Sequence, residues 1–234
     1  MKSSVDEIRE RFDKDVERFS NLDSGQEAAM DSALCTAMIA RAASGSTPDA
    51  INLLDIGCGA GNYSLRLLQR IPSLNVTLVD LSQPMLVRAE QRVKGAGALC
   101  VQTMQGDIRE LELKKNEYDI ILAASVLHHL RTDAEWHAVF YKFFTALRPG
   151  GGFWVYDLVD HDIPAVQWLQ QERYAEYLAN LKGPEYRQKV FDYVEKEDTP
   201  RSLIFQTSLM SEVGFRNVSI LHKNGPFAAF GALK

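Results

Sequence analysis

From Ile51 onward this 234-residue chain alternates short apolar runs with amphipathic stretches, and no other feature narrows its fold so far. INLLDIG, NVTLVD, ALCVQTMQGD, YDIILAAS and GGFWVYDL read as five strands. Between them NYSLRLLQRI, QPMLVRAEQRV and TDAEWHAVFYKFFTALRPG carry apolar residues at helical spacing. Strands joined by crossover helices form parallel sheets covered on both faces, so a doubly wound α/β sheet is expected. NVSILHK and FAAFGALK, joined by Asn224-Gly225-Pro226, are expected to close it as a carboxy-terminal hairpin.

Two segments stand outside this rhythm. Before it, Val5, Ile8, Phe12, Val16 and Phe19 recur every three or four positions, a stripe read as packing onto the sheet domain. After a break at NLDSGQ, the run 27–43 reads as a second helix, making residues 1–50 a helical cap on a domain of residues 51–234. Within that domain residues 160–199 read as a helical insertion, broken at Lys182-Gly183-Pro184 and carrying Trp168, Tyr174, Tyr177, Tyr186, Phe191 and Tyr193. Such aromatics suit half-buried packing and a water-excluding lid equally.

Composition excludes more than it selects. At 46% hydrophobic and 24% charged residues the chain matches soluble globular proteins, and its formal charge of -5 gives no general attraction for phosphate backbones. Cys35, Cys58 and Cys100 are widely spaced and odd in number, so they read as reduced thiols, and no metal site is expected. The charged amino terminus lacks the apolar core of a signal peptide, and no window is apolar enough to cross a bilayer, so a cytoplasmic protein with no membrane partner is expected.

The chemistry concentrates in LLDIGCGAGNYS, where Gly57, Gly59 and Gly61 lie between a buried strand and a helix starting near Asn62. Glycines there permit a sharp turn and close approach of a ligand to the main chain, beside the free N–H groups of the helix terminus. The G-x-G-x-G spacing, preceded by Asp55, differs from the dinucleotide G-x-G-x-x-G and disfavours a dehydrogenase. Asp80 ends the next strand, where a carboxylate meets the ribose of a nucleoside bound across strand ends. Asp107 ends the third, within reach of an adenine amine, or serves as a turn and helix cap.

LLDIGCGAGNYS, VTLVDLSQPML, QGDIREL, YDIILAASVLHHL and LRPGGGFWVYD, in that order within residues 51–158, resemble the successive motifs of class I S-adenosylmethionine-dependent methyltransferases. The resemblance implies a Rossmann-like seven-stranded sheet with an antiparallel last strand. It implies S-adenosyl-L-methionine as cofactor and S-adenosyl-L-homocysteine as product. By it, Gly57 and Gly59 pass beneath the methionine moiety, Asp55 supports the loop and Asp80 holds the ribose hydroxyls. Leu81 and Met85 would flank the adenine, Asp107 would meet its amine with Ile108 alongside, and Ala124 and Ser125 would face the sulfonium. DLSQPML and VLHHL are most similar to a small-molecule branch that includes quinone-biosynthesis C-methyltransferases and carboxy-S-adenosylmethionine synthase.

Candidate catalytic groups follow the fourth and fifth strands. His128 and His129 stand where either can take a proton from a substrate nucleophile, or cap the next helix. Tyr156, Asp157 and His161 form a second polar cluster, and the planar fork of Arg201 suits a carboxylate on substrate or ligand. The expected activity is methyl transfer to a small-molecule substrate, for which alignment suffices because the sulfonium is already a good leaving group. Two alternatives stand beside it: a carboxy-S-adenosylmethionine synthase-like enzyme, kept open by Arg201, and a non-catalytic S-adenosylmethionine-binding module. Nucleic acid is disfavoured as a partner, because LAASVLHH occupies the place of an Asn-Pro-Pro-Tyr tetrapeptide and no basic tract is present. A homodimer is left open.

Overall fold

A computed structural model describes residues 2–21 and 26–234; the expected break at NLDSGQ falls largely outside them. Among the described residues α1 (Val5–Lys14), α2 (Val16–Ser20) and α3 (Ser32–Ser46) precede the sheet. A capping box starts α1: Ser4 Oγ accepts from Glu7 N–H, and the Glu7 carboxylate accepts from Ser4 N–H at 2.8 Å. The amphipathic stripe does not continue as one helix but breaks at Asp15. The second expected helix starts at Ser32 rather than at residue 27. Asp31 has a φ of 62°, and its carboxylate lies 2.8 Å from His222 Nε2 and 2.9 Å from Asn224 Nδ2, so the carboxy-terminal hairpin holds the turn that delays the helix.

The core then runs β1 (Asn52–Ile56), α4 (Asn62–Leu68), β2 (Asn75–Asp80), α5 (Gln83–Gly95), β3 (Cys100–Gln105), β4 (Tyr118–Ala124), α6 (Asp133–Ala146) and β5 (Leu147–Leu158). The insertion follows as α7 (Pro164–Lys182) and α8 (Pro184–Glu197), then α9 (Leu203–Val213), β6 (Arg216–Asn224) and β7 (Phe227–Leu233). The strands form one seven-stranded sheet of order β3-β2-β1-β4-β5-β7-β6, in which β7 runs antiparallel to both neighbours. This is the expected architecture, and the hairpin explains the reversal. One boundary differs: Leu147, expected to end a helix, already pairs with Tyr118 at the start of β5, with a bulge before Ile120.

Strand alternation divides the core between the faces. Leu54, Ile56, Ile121, Ala123, Phe153 and Val155 pack with α6 and α9, whereas Leu53, Ile120, Leu122, Trp154 and Tyr156 pack with the α3, α4 and α5 side. Because β1 is flanked by β2 on one side and β4 on the other, the chain reverses its winding there, and a crevice opens beyond the carboxyl ends of these strands.

The insertion closes back on the amino terminus. Tyr174 Oη donates to Ala28 O at 3.0 Å, Tyr177 Oη to Glu27 O at 2.7 Å, and Arg11 forks onto the buried Glu197 carboxylate at 2.5–3.0 Å. No described helix is long and apolar enough to cross a membrane.

Candidate active site

The glycine loop leaves β1 at the crevice. Gly57, Gly59 and Gly61 have φ of 61°, 50° and 83°, the left-handed region that favours glycine. A Cβ on Gly57 would lie 2.6 Å from Val126 Cγ2, so the missing side chain lets this loop close against the one after β4; a Cβ on Gly59 would meet nothing within 4 Å and would point into open space. The Asp55 carboxylate is buried beneath the loop, where Ser64 Oγ of α4 donates to it at 2.6 Å. At the end of β2, Asp80 Oδ2 accepts from Gly59 N–H at 2.8 Å and Oδ1 from Ser82 N–H at 2.9 Å, fixing the carboxylate beside the loop with lone pairs to spare.

Burial raises both acids: Asp55 is pushed up to about 7 despite Ser64, and Asp80 to about 6 despite the backbone N–H groups it accepts from. A raised carboxyl favours folding in its protonated form, a contribution fully present below the ordinary 3.8 and lost as pH rises through about 7 for Asp55. Asn at this position still accepts from Ser64 but does not titrate. Urea unfolding should therefore show the stability of Asp55→Asn relative to wild type increasing as pH rises from about 4 to about 7. A difference that stayed constant with pH would contradict burial as the origin of the shift. Cys58 is buried in the same loop, and burial pushes its thiol well up, so it offers no thiolate.

The crevice holds a cavity of about 300 Å³. The ends of β1 and β2 and the residues that follow them contribute Asp55, Gly57, Gly59, Asp80, Leu81 and Met85 to its lining, with Asp107 and Ile108 entering from beyond β3 and Ala124 and Ser125 from the end of β4. All ten residues expected at the cofactor are thus brought to one space. Asp107 is held by Arg109, whose Nε lies 3.0 Å from both carboxylate oxygens; burial would raise this carboxyl, but the guanidinium outweighs it and holds it below the usual range. Phe12 and Phe19 also line the cavity, so the amphipathic stripe faces the crevice as well as the domain. Asn62 Nδ2, at the start of α4, donates to Phe19 O at 3.0 Å and ties this cover to the glycine loop.

A second cavity of about 160 Å³ adjoins the first; Phe12, Phe19, Gln26, Ser125 and His129 line both. Tyr174, Tyr186 and Tyr193 of the insertion form its far wall. At the junction Ser125 has a φ of 53°, an uncommon conformation for a residue other than glycine, secured by its N–H donating to Tyr156 O at 2.8 Å.

The candidate catalytic groups separate here. His128 and His129 form a single 3-10 turn with Leu127, and both line the second cavity. His128 Nδ1 is hydrogen-bonded to Asp157 Oδ1. Asp157 lines neither cavity; it also accepts from the N–H groups of Val126, Leu127 and Leu158, at 3.2, 2.7 and 2.7 Å, and so orients the turn. Burial would lower the His128 pKa, but the Asp157 and Asp198 charges outweigh it and hold it at about 9; burial and the neighbouring His128 push His129 below its ordinary value.

The expectation that Tyr156 and Arg201 face the site is not met. Tyr156 is fully buried with its hydroxyl donating to Met30 O at 2.6 Å, because its position on β5 points to the α3 side of the sheet. Arg201 Nε donates to Asp133 Oδ1 at 2.8 Å, outside both cavities. His161 likewise lies apart, with Gln167 Oε1 3.1 Å from its Nδ1. Asp198, missed in the sequence, enters the site from the end of α8. It stands 70 residues from the histidines with no local pattern to mark it.

A crevice at a winding reversal, floored by a glycine loop and edged by carboxylates, is the place where doubly wound sheets bind nucleotide ligands. The comparisons agree. A family model described as a methyltransferase domain matches residues 53–151. The demethylmenaquinone methyltransferase of Listeria monocytogenes is 25% identical over 183 residues, covering 76% of this chain and 75% of that protein. Human N-acetylserotonin methyltransferase, solved in complex with S-adenosylmethionine, superposes with a TM-score of 0.58 at 19% identity over 92% of this chain and 57% of its own. Phosphoethanolamine N-methyltransferase 2 of Haemonchus contortus, also solved with S-adenosyl-L-methionine, gives 0.56 at 18% over 79% and 48%. The chain therefore spans about half the length of these two solved proteins, and their likeness shows the fold. This protein carries a class I S-adenosylmethionine-dependent methyltransferase domain, as the match over residues 53–151 and the sheet order show, and that domain supports S-adenosylmethionine-dependent methyltransferase activity.

Proposed function

We propose that the enzyme methylates a small-molecule acceptor held in the second cavity, with the cofactor in the first. The observation that carries this reading is the shared wall: two cavities of different lining meet at Ser125 and His129. The cofactor supplies an electrophilic methyl on a good leaving group. The chain's residues hold and align. Asp80, whose oxygens each retain a free lone pair beside the glycine loop, accepts from the ribose hydroxyls, and the open space over Gly59 admits the methionine moiety. Leu81, Met85 and Ile108 give the adenine apolar contact, and Asp107, which Arg109 holds through both carboxylate oxygens, stands where it would meet the adenine amine. Asp55 and Ser64 brace the loop from below.

On the acceptor side, Phe12, Phe19 and the insertion's tyrosines supply apolar walls, so α1, α2 and the insertion act together as the cover. The listerial quinone methyltransferase shares 25% identity over most of its length, which supports a small metabolite as acceptor. His129 touches the acceptor, His128 is positioned by Asp157, and Tyr156 and Arg201 have no part. With Arg201 outside both cavities, its Nε on Asp133 Oδ1 and its Nη2 on Arg131 O, the feature that favoured a carboxylated cofactor is lost.

Incubation with methyl-labelled S-adenosylmethionine and a fractionated cell extract tests this reading. Label should appear in the low-molecular-weight fraction. Label confined to protein or nucleic acid would overturn it.

A further inference from the structure

We propose that His128, His129 and Asp198 form a divalent transition-metal site at the wall of the second cavity. One ligand atom from each of the three falls within 4.8 Å of the other two. Asp198 Oδ1 lies 3.3 Å from His129 Nδ1 and 3.6 Å from His128 Nε2. A tetrahedral ion with nitrogen and oxygen ligands at about 2.0–2.1 Å separates those ligands by about 3.3–3.4 Å, so two edges stand near metal-binding length.

Two further observations point to a ligand. Asp198 is only 4% exposed, yet its Oδ1 and both ring nitrogens of the largely enclosed His129 make no hydrogen bond of good geometry, meeting only across the 3.3 Å ion-pair contact between Oδ1 and Nδ1. Leaving a buried carboxylate oxygen and an imidazole unsatisfied costs free energy that a cation between them removes. In addition, the far ring nitrogen of His128 is held by Asp157, itself fixed by three backbone N–H groups. A carboxylate behind a ligating histidine is the arrangement that orients such ligands and raises their basicity.

The backbone brings the third ligand in. Thr199 N–H donates to His128 O at 2.7 Å and Thr199 Oγ1 to Leu130 O at 2.6 Å, clamping the end of the insertion onto the loop after β4. Two imidazoles with one carboxylate suit zinc, cobalt or iron rather than magnesium or calcium. All three residues line the second cavity, so a coordination position faces it. Its use to bind a hydroxyl, thiol or amine of the acceptor rests on the small-molecule reading; metal binding itself does not.

Cobalt(II) titrated into the chelator-treated full chain tests the site directly. Visible ligand-field bands should grow to saturation at one equivalent and be displaced by zinc. Asp198→Asn and His129→Gln should each weaken cobalt binding at least about 10-fold, while His222→Gln, which alters a surface histidine beside Asp31, leaves it unchanged. Absence of bands in the wild type, or bands unaltered in both site variants, would overturn the proposal, and the wild-type titration stands even where a variant fails to fold. Binding of S-adenosylmethionine, followed separately by calorimetry, fails only with the methyltransferase reading.

Discussion

Asp80→Ala should weaken S-adenosylmethionine binding about 100-fold while leaving the protein folded. In the proposed complex Asp80 takes two ribose hydroxyls, and hydrogen bonds to a charged group are worth about 1.5 kcal/mol or more each. Their loss, about 3 kcal/mol, corresponds to roughly two powers of ten in Kd. Calorimetry with S-adenosyl-L-homocysteine isolates the adenosyl contribution from the sulfonium. The pH dependence gives a second signature. Burial sets the Asp80 carboxyl at about 6, and only its ionised form accepts from both hydroxyls, so wild-type affinity should fall as pH is lowered through about 6. The alanine variant should lack that inflection. Retention of affinity to within about threefold of wild type, well under the 1.4 kcal/mol that marks a tenfold change, would remove Asp80 from the site.

The second large effect is a contrast between neighbouring glycines. Gly57 and Gly59 share a left-handed φ, so alanine at either costs about 1–2 kcal/mol of backbone strain. At Gly57 the new Cβ also overlaps Val126, only 2.6 Å from Cγ2, and forcing those atoms apart adds about 1–3 kcal/mol. Gly57→Ala should therefore be destabilised by about 2–5 kcal/mol in urea unfolding. At Gly59 the Cβ meets only open space. Gly59→Ala should lose about 1–2 kcal/mol of stability but bind cofactor far more weakly, because its methyl occupies the space the ligand would fill. Equal losses of stability in the two variants would show that local packing does not distinguish them.

Both contrasts depend on placement that residue spacing reveals only in part. The strands were legible because each buried run is short and followed by a helix-period segment, which leaves few other ways to bury apolar surface. The row of carboxylates along the crevice was legible for a related reason: Asp55, Asp80 and Asp107 sit at or close to strand ends, and parallel strands bring their carboxyl ends to one side. The acceptor side was less so. Tyr156 and Asp157 are adjacent on β5, yet the pleat sends the tyrosine to the α3 side and leaves the aspartate to orient the loop after β4. Arg201 follows the insertion as expected, but Asp133 claims its guanidinium. Asp198, close to it in the chain, enters the site unannounced.

The sequence alone thus determined the doubly wound sheet, its closing hairpin and the row of carboxylates at one edge of the crevice, because these follow from local periodicity, from a turn signal and from residues fixed at strand ends. Tertiary structure alone decided that the stripe of Phe12 and Phe19 covers the crevice, that a second cavity opens beside His129, and that Asp198 meets the two histidines. Those placements depend on how the amino-terminal helices and the insertion dock, through Arg11 and Glu197 and through Thr199 on His128. Contacts between residues so far apart in the chain leave no periodic trace in it, since either partner alone is an ordinary charged or polar side chain.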